Sequence, residues 1–600
     1  MFIKIKRSKY MNRYGQDILK QLILTPYTNQ RDLSEKSGYS LGVVNKTIKL
    51  LQSEGYIDEK ACVTDKGVVL MEESKPKNAI ILAAGVGMRM VPINTQTPKG
   101  LIEIKNEPLI ERIISQLHEK GIEDISIVVG FMKEQYEYLI DKYNVTMTVN
   151  PEYSTKNNIH SLKLVADKLD NTYIIPCDIW CEKNPFSEYE PYSWYMVSEQ
   201  EDKDSTVKVT RKLELAIVNE DEAGNTMIGI SYLDKAEAKL VRDRLKVMCQ
   251  NVRYEGSFWE ETLCQGNKML LQAKLVSASE AVEINTYEQL REFDKGSNHL
   301  KSDAIEIISK TLSVAEEDIT DITMLKKGMT NRSFLFSAKG KRFIMRIPGE
   351  GTDKLINRRE EAEVYNIVNK NNICDRIYYI NPENGYKMSE YIDGARVCDM
   401  YDNEDLKKSM KKLKEFHQEK FQVSHEFDIF GKIQFYEDLW EGKPSAYRDY
   451  LKTKENVFKL KEYIDSQKFT KCLTHIDAVP DNFLIVTDIN GEEQVRLIDW
   501  EYAAMQDPHV DIAMFCIYAM YDREQVDNLI DIYFEGKCDR ATRIKIYCYV
   551  AACGLLWSNW CEYKAMFGVE FGEYSLRQYR YGKDYYKIVR DELSKDGIKL

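Results

Sequence analysis

Two stretches of this 600-residue sequence carry side chains whose types and spacing suit chemistry on phosphates. In the first, Leu82-Ala83-Ala84-Gly85-Val86-Gly87-Met88-Arg89-Met90 is followed by Thr97-Pro98-Lys99. Small residues at Ala83, Ala84, Gly85 and Gly87 let the backbone approach a triphosphate and donate N–H groups to its oxygens, while Arg89 and Lys99 add positive charge. A dinucleotide fingerprint would need a third glycine where Met90 stands, and a Walker loop would need Gly-Lys-Ser/Thr, which does not follow. In the second stretch, His475-Ile476-Asp477 leads to Asn482 and then to Leu497-Ile498-Asp499-Trp500-Glu501. An Asp, an Asn five positions on and an Asp closing an apolar strand provide one carboxylate for a nucleophile's proton and two oxygen ligands for Mg²⁺. That is the equipment of phosphoryl transfer.

These residues need elements to hold them. Apolar runs at Ala79 to Ala83, Ile125 to Val129, Met147 to Asn150 and Tyr173 to Cys177 read as strands, with helices such as Leu109 to Lys120 between them. The alternation predicts a mostly parallel sheet with helices on both faces. Asp178 then falls at the carboxyl end of a strand, where ligands gather in such sheets. A β-rich stretch, Ile322 to Ile347, opens the second region, and long helical segments come after it. The length asks for three or four domains, and the pattern divides as 1–74, 75–298 and 299–600.

The first 74 residues read as three helices and a wing. Tyr14 to Leu24 has apolar residues at helical spacing, Asn29 to Gly38 starts on a cap and stops at glycine, and Leu41 to Gly55 turns Val44, Ile48 and Leu51 inward. Tyr56-Ile57, Ala61 to Thr64 and Gly67 to Leu70 supply the wing strands. The pattern resembles the winged helix-turn-helix of bacterial multiple-antibiotic-resistance-type regulators, which implies DNA contact by the third helix, with a small interaction domain as the alternative. This segment carries twelve Lys/Arg and nine Asp/Glu against a net charge of −12 for the whole chain. Nucleic-acid binding is therefore not the dominant character of the protein.

The Leu-Ala-Ala-Gly-x-Gly-x-Arg-Met run with its downstream Pro-Lys resembles the sugar-phosphate-type nucleotidyltransferases. Asn157-Asn158-Ile159-His160-Ser161-Leu162 and Phe258-Trp259-Glu260-Glu261 narrow the resemblance to CTP:phosphocholine cytidylyltransferases, from about residue 78 to about 293. The resemblance implies that Asp178 holds Mg²⁺ and that Asn158 lies at the substrate. It places the second metal ligand in Glu283-Ile284-Asn285-Thr286, where the family has Glu-Ile-Asp-Thr, so Asn285 offers an uncharged carbonyl instead of a carboxylate. A trimethylammonium group needs aromatic faces and a carboxylate, and Trp259 with Glu260 or Glu261 has both kinds of group.

The second constellation resembles the choline and aminoglycoside kinase family, through His-x-Asp-x-x-x-x-Asn and Ile-Asp-Trp-Glu. The implied parts are a phosphate-covering turn at 327–333 with Asn331 and Ser333, Arg346 in the place of the phosphate-binding lysine, and Glu361 as its ion-pair partner. Glu360 is one residue away and sequence does not separate them. Met388 to Ile392, with Glu390 and Ile392, corresponds to the adenine-binding segment. Trp557 and Trp560, at i and i+3 of a helix, join Trp500 and Tyr502 as an aromatic set for a quaternary ammonium, with core packing as the alternative.

The implied fold class is multidomain α/β and α+β: a small winged helix domain, a doubly wound mostly parallel-sheet nucleotidyltransferase domain and a two-lobed protein-kinase-like domain. The implied activity is a Mg²⁺-dependent choline kinase joined to a phosphocholine cytidylyltransferase, with ATP, CTP, choline and phosphocholine as small-molecule partners. Ethanolamine, another amino alcohol or a sugar is the alternative substrate, and a DNA-binding ligand sensor the alternative class. Thirteen cysteines without paired spacing suggest neither a disulfide framework nor a structural metal site, and Cys177 and Cys181 read as buried thiols. No apolar run reaches the roughly 18 residues that span a bilayer, and no signal segment is evident, so a cytoplasmic protein without membrane partners is expected.

Overall fold

The computed structural model describes residues 11–203, 205–218, 222–325, 331–348, 356–371, 373–487, 490–566 and 569–600, with backbone alone at Thr95, Asn331 and Arg332. Two units divide at Asp303 and Ala304.

The first unit begins with α1 (Arg13–Leu24), α2 (Gln30–Ser37) and α3 (Leu41–Ser53). Three of these ends have a local cause. The Asn12 side chain accepts from Gly15 N, that of Asn29 accepts from Arg31 N and Asp32 N, and Gly38 closes α2 at φ 71°. Ile18, Leu19, Leu33, Val44, Ile48 and Leu51 form the core of this head. The expected two-stranded wing is largely absent. Only an Ile57–Val63 bridge remains, and Gly67 to Leu70 is helical, within α4 (Asp65–Glu72). Thr64 caps this helix by accepting from Gly67 N, and Asp65 sits in its first turn; this start signal overrides the strand preference of Val68 and Val69.

The head is docked on the remainder of the first unit. Lys20 pairs with the buried Glu190 at 3.2 Å, Arg13 donates to Gln272 Oε1 at 3.1 Å, and Tyr189 enters the head's own core.

A ten-stranded sheet fills the rest of this unit. Thr146–Val149, Ile125–Val129, Asn78–Ala83 and Thr172–Pro176 are neighbours and parallel, as the alternating pattern predicts. Beyond them the sheet is mixed: Gly224–Leu233 runs antiparallel to both its neighbours, and Glu214–Ile217 is antiparallel to Lys268–Val276. The expectation of a mostly parallel sheet therefore holds for one half only, because strands joined by short turns, such as Cys264–Gln265 and Lys268–Val276, reverse direction without a crossover helix. Alternate residues of the first strand serve opposite faces. Ala79, Ile81 and Ala83 pack with Ile110 and Ile114, whereas Ile80 packs with Ile159 and Leu162.

The second unit carries a five-stranded antiparallel sheet, in the order Thr320–Met324, Asn331–Ala338, Lys341–Pro348, Lys387–Glu390, Ile377–Ile380, with helix Arg358–Val368 inserted in the chain between its strands. A helical lobe completes it, from Asn403–Gln418 to the two long helices Arg540–Ala565 and Glu573–Lys595. Among the described residues no helix is long and apolar enough to cross a membrane.

Candidate functional sites

In the first unit the Asn78–Ala83 strand runs into the buried Ala84, after which the loop turns at Gly87. Gly87 lies at φ 65°, and a Cβ there would stand 3.4 Å from Lys99 Cβ. Its backbone conformation favours glycine, while the Lys99 contact would be an ordinary one. Gly85, by contrast, faces open space on the side where a Cβ would project. Buried Asn94 pins the loop by donating to Gly87 O at 3.1 Å.

Lys99 lies in the short turn Lys99–Leu101, and its Nζ pairs with Asp178 and donates to Asn285 Oδ1 at 2.6 Å. Arg89 Nη2 donates to the same oxygen at 3.1 Å. Four expected site residues thus meet. An antiparallel pairing of Ala281–Glu283 with Ile179–Cys181 brings Asn285 to Asp178, although they are far apart in sequence. At Asn285 a neutral carbonyl serves two cations. The other Asp178 oxygen, Oδ1, is buried with no hydrogen-bond partner, and oxygen donors of this kind suit a hard divalent cation.

Glu283, which spacing alone did not single out, belongs to the same cluster. Burial and the charge of Asp178 push its carboxyl up to about 7, against the pull of Lys99. Its only sequence signal was membership of the Glu-Ile-Asn-Thr tetrapeptide.

The substrate-side residues divide. Asn158 Oδ1 accepts from Trp259 N at 2.7 Å, tying that loop to helix Asn158–Leu164. Trp259 itself is 1% exposed and packs with Ile80, Val128 and Leu162, so it is a core residue and not the open aromatic face expected of it. Glu261 points to solvent. Glu260 faces inward: Tyr195 OH donates to its Oε1 at 3.1 Å, its Oε2 is buried without a partner, and burial pushes the carboxyl up to about 7.

In the second unit, strand Cys472–Thr474 delivers the His475-Ile476-Asp477 loop. Ile476 is at φ 64° and Asp499 at φ 63°, conformations that non-glycine residues adopt at a cost. Asn482 Nδ2 donates to the Asp477 carbonyl at 2.8 Å and to its Oδ2 at 3.2 Å. Burial, then the charge of Asp499, pushes the Asp477 carboxyl up to about 7. The Asn482 amide oxygen and the Asp499 carboxylate are oxygen donors suited to a divalent cation, whose charge would offset the repulsion between Asp499 and Asp477. Among the described residues no group of three or more His, Cys, Asp or Glu is placed to hold a metal ion by itself.

Arg346, on strand Lys341–Pro348, makes a two-pronged ion pair with Glu361, Nη1 to Oε1 at 2.5 Å and Nη2 to Oε2 at 2.9 Å. Geometry thus separates Glu361, 2% exposed and paired with Arg346, from Glu360, which is only half-buried. The segment after strand Lys387–Glu390 is held by Tyr391 N donating to Arg342 O, with the Glu390 side chain on Lys341 and Ile392 half-buried. Of the expected phosphate-covering turn, 327–330 lies outside the described residues. Asn331 and Ser333 start the strand that pairs with Lys341–Pro348, with Ser333 opposite Arg346.

The aromatic set also divides. Trp500 is fully buried, donates its indole N–H to Leu497 O, and lies against His475 and Phe416, so it supports the loop and offers no face to substrate. Tyr502, Trp557 and Trp560 come together, with ring centroids 6.0 and 5.3 Å apart in sequence order, and Phe571 extends the row 5.2 Å beyond Trp560. Tyr436 and Tyr574 were not foreseen. Burial first, with a contribution from the Asp477 charge, pushes both their phenols up, as it does Tyr502.

A nucleotidyltransferase part followed by a kinase-type phosphotransferase part defines the class of this protein, a two-site transferase. Three family models match in order: one described as winged helix-turn-helix DNA-binding over 11–58, one as a MobA-like NTP transferase domain over 79–184, and one as choline/ethanolamine kinase over 322–548. Choline-phosphate cytidylyltransferase of Streptococcus pneumoniae is 33% identical over 222 residues, 36% of this chain and 96% of that protein. The 2-aminoethylphosphonate cytidylyltransferase of Lancefieldella rimae is 31% identical over 36% of this chain and 92% of its own. Protein LicA of Haemophilus influenzae is 26% identical over 42% of this chain and 96% of its own. The chain belongs to the cytidylyltransferase family and carries a choline/ethanolamine kinase domain C-terminal to that part.

Proposed function

We propose that the protein makes CDP-choline in two steps. In the second unit the choline hydroxyl gives its proton to Asp477 while its oxygen takes the γ-phosphoryl group of ATP, leaving ADP and phosphocholine. In the first unit an anionic phosphate oxygen of phosphocholine attacks the α-phosphorus of CTP, and pyrophosphate leaves. That oxygen is already ionised near neutral pH, so Lys99 and Arg89 need only orient the triphosphate and offset its growing charge. Mg²⁺, with Asp178 and Asn285 as ligands in one unit and Asn482 and Asp499 in the other, would supply further charge stabilisation on the phosphates.

The observation that carries the choline assignment is the set of half-buried rings Tyr502, Trp557 and Phe571, gathered around the core residue Trp560 in the lobe that holds Asp477. Aromatic faces attract a quaternary ammonium, which cannot donate a strong hydrogen bond, whereas a primary ammonium would call for more acceptors. The head is proposed to bind duplex DNA along an open groove of about 960 Å³ lined by Asn29, Gln30, Arg31, Leu41, Gly42, Asn45, Lys46 and Lys49. These lining residues are amides, cations and small or apolar groups, with no carboxylate among them. All three roles fit a cytoplasmic protein, where both nucleotides are at hand.

A product assay by mass spectrometry, with purified protein, Mg²⁺, ATP, CTP and either choline or ethanolamine, tests this reading. CDP-choline appearing only with both nucleotides supports it. Products from ethanolamine alone would reassign the substrate, and no product from either would favour a ligand sensor.

A further inference from the structure

Helix Arg358–Val368 carries two buried side chains at i and i+4, and so on one face: Glu361, which pairs with Arg346, and Tyr365, which is 1% exposed. The Tyr365 hydroxyl accepts from Trp500 N at 3.3 Å. That N–H belongs to the peptide that follows Asp499, so its partner fixes the rotation of the chain at Asp499, a residue held at φ 63°. The peptide on the other side of Asp499 is held as well, for its carbonyl, Ile498 O, accepts from His475 Nε2 at 2.8 Å. Ile498 N in turn donates to Asn482 O at 3.0 Å. A non-glycine residue keeps a left-handed conformation only where its surroundings over-determine it, and here the loop of Asp477 grips one side and the helix the other.

Tyr365 lies among charges of both signs. Lys387, itself buried, donates to its hydroxyl and also faces Glu361 and Asp375. Burial first, then the charges of Asp375, Glu361 and Asp499, hold the phenol far above its ordinary range, against the pull of Arg346. The oxygen is therefore a neutral hydroxyl that accepts from both Lys387 and Trp500 N. Tyr365→Phe removes this acceptor and leaves every charge and the ring in place.

We propose that Tyr365 is a positioning residue for phosphoryl transfer: its hydroxyl fixes the peptide that follows Asp499 and so keeps that carboxylate presented with Asn482 to a divalent cation. The helix then serves both sides of nucleotide binding, the phosphate-side arginine through Glu361 and the metal-side carboxylate through Tyr365. Tyr365 touches neither nucleotide nor metal in this scheme; it acts through Asp499. The inference rests on reading the second unit as an ATP- and Mg²⁺-dependent kinase.

The test uses the full chain, with Mn²⁺ as the probe, read by electron paramagnetic resonance with and without ADP, and amide exchange followed by mass spectrometry. Tyr365→Phe is expected to weaken the ADP-dependent binding of Mn²⁺ by about three- to tenfold, the equivalent of one lost hydrogen bond. Exchange in the peptide 497–503 should quicken by a similar factor, while exchange in helix Arg540–Ala565 is unchanged. ADP affinity measured in EDTA, KM for choline and the rate of cytidylyl transfer stay within about twofold. Unchanged Mn²⁺ affinity in Tyr365→Phe overturns the proposal, as does exchange that quickens equally in helix Arg540–Ala565, the mark of a hydroxyl that only stabilises the lobe. A loss of metal-free ADP affinity as large as the loss for Mn²⁺ also overturns it, since the effect would then run through Lys387, Glu361 and Arg346. Wild-type protein that binds no Mn²⁺ with ADP would sink the kinase reading and this inference together.

Discussion

Asp511 accepts the backbone N–H of Ile476 at 2.8 Å and thereby holds a β-branched residue at φ 64°, immediately before Asp477. The same carboxylate accepts from His475 N at 2.8 Å and pairs with His417 Nε2 at 2.9 Å. It is wholly buried. Asp511→Ala should therefore release the loop and leave buried donors unpaired, at a cost of about 3–5 kcal/mol. Urea denaturation would read the loss in the second unit, and phosphorylation should fall while cytidylyl transfer persists.

The two chemistries should separate by mutation. Asp477→Ala removes the proton acceptor and is expected to lower phosphorylation by about 10²–10⁴-fold, yet leave CDP-choline synthesis from added phosphocholine. Lys99→Ala should do the reverse. Parallel assays of both half-reactions on each variant decide the matter, and loss of both activities in either one would contradict independent sites.

Substrate choice should track the aromatic row. Trp557→Ala is expected to raise KM for choline by an amount equivalent to about 0.5–2 kcal/mol, with Trp557→Phe much milder. Turnover of ethanolamine, if measurable, should change less. Equal losses for the two alcohols would mean that the ring serves packing alone.

One pH effect arises from a single enclosed amine. Lys274 Nζ donates to Pro185 O at 2.7 Å and lies 3.9 Å from the Trp194 ring centroid, and burial pushes its pKa down to about 8. An unfolded lysine stays protonated to about 10.4, so between these values the unfolded chain binds the extra proton and stability rises with pH. Unit-one unfolding midpoints in urea should thus gain between pH 8 and 10 in wild type relative to Lys274→Met. Parallel pH profiles for the two proteins would refute it.

DNA binding by the head along the α3 groove should be steeply salt-dependent. Lys49→Ala is expected to reduce the slope of log affinity against log salt by about 0.9, the share of one phosphate contact. Fluorescence anisotropy with duplexes of unrelated sequence at several salt concentrations would measure it. An unchanged slope would remove Lys49 from the contact surface.

Much of this was legible in the chain. Local rules suffice for the Asn29 cap, the Ala79 and Ile125 strands and the turn at Gly87, because each depends on residues within a few positions. The wing misled for the opposite reason: Val68 and Val69 suggested a strand, but Thr64 and Asp65 began a helix before them. Trp259 and Trp500 misled because an indole's exposure depends on what packs against it, here Ile80 and Leu162 in one case, His475 and Phe416 in the other.

The sequence by itself determined the order of the three parts, the two families and the residue types on which their chemistry depends, since spacing along one strand or loop survives folding unchanged. Only the tertiary structure decided between Glu360 and Glu361, brought Asn285 to Asp178 and Lys99, and joined Tyr365 to the peptide that follows Asp499. Those relationships are set by burial and by distances between segments remote in the chain, and charges couple through space according to separation and local dielectric, not according to their numbers in sequence.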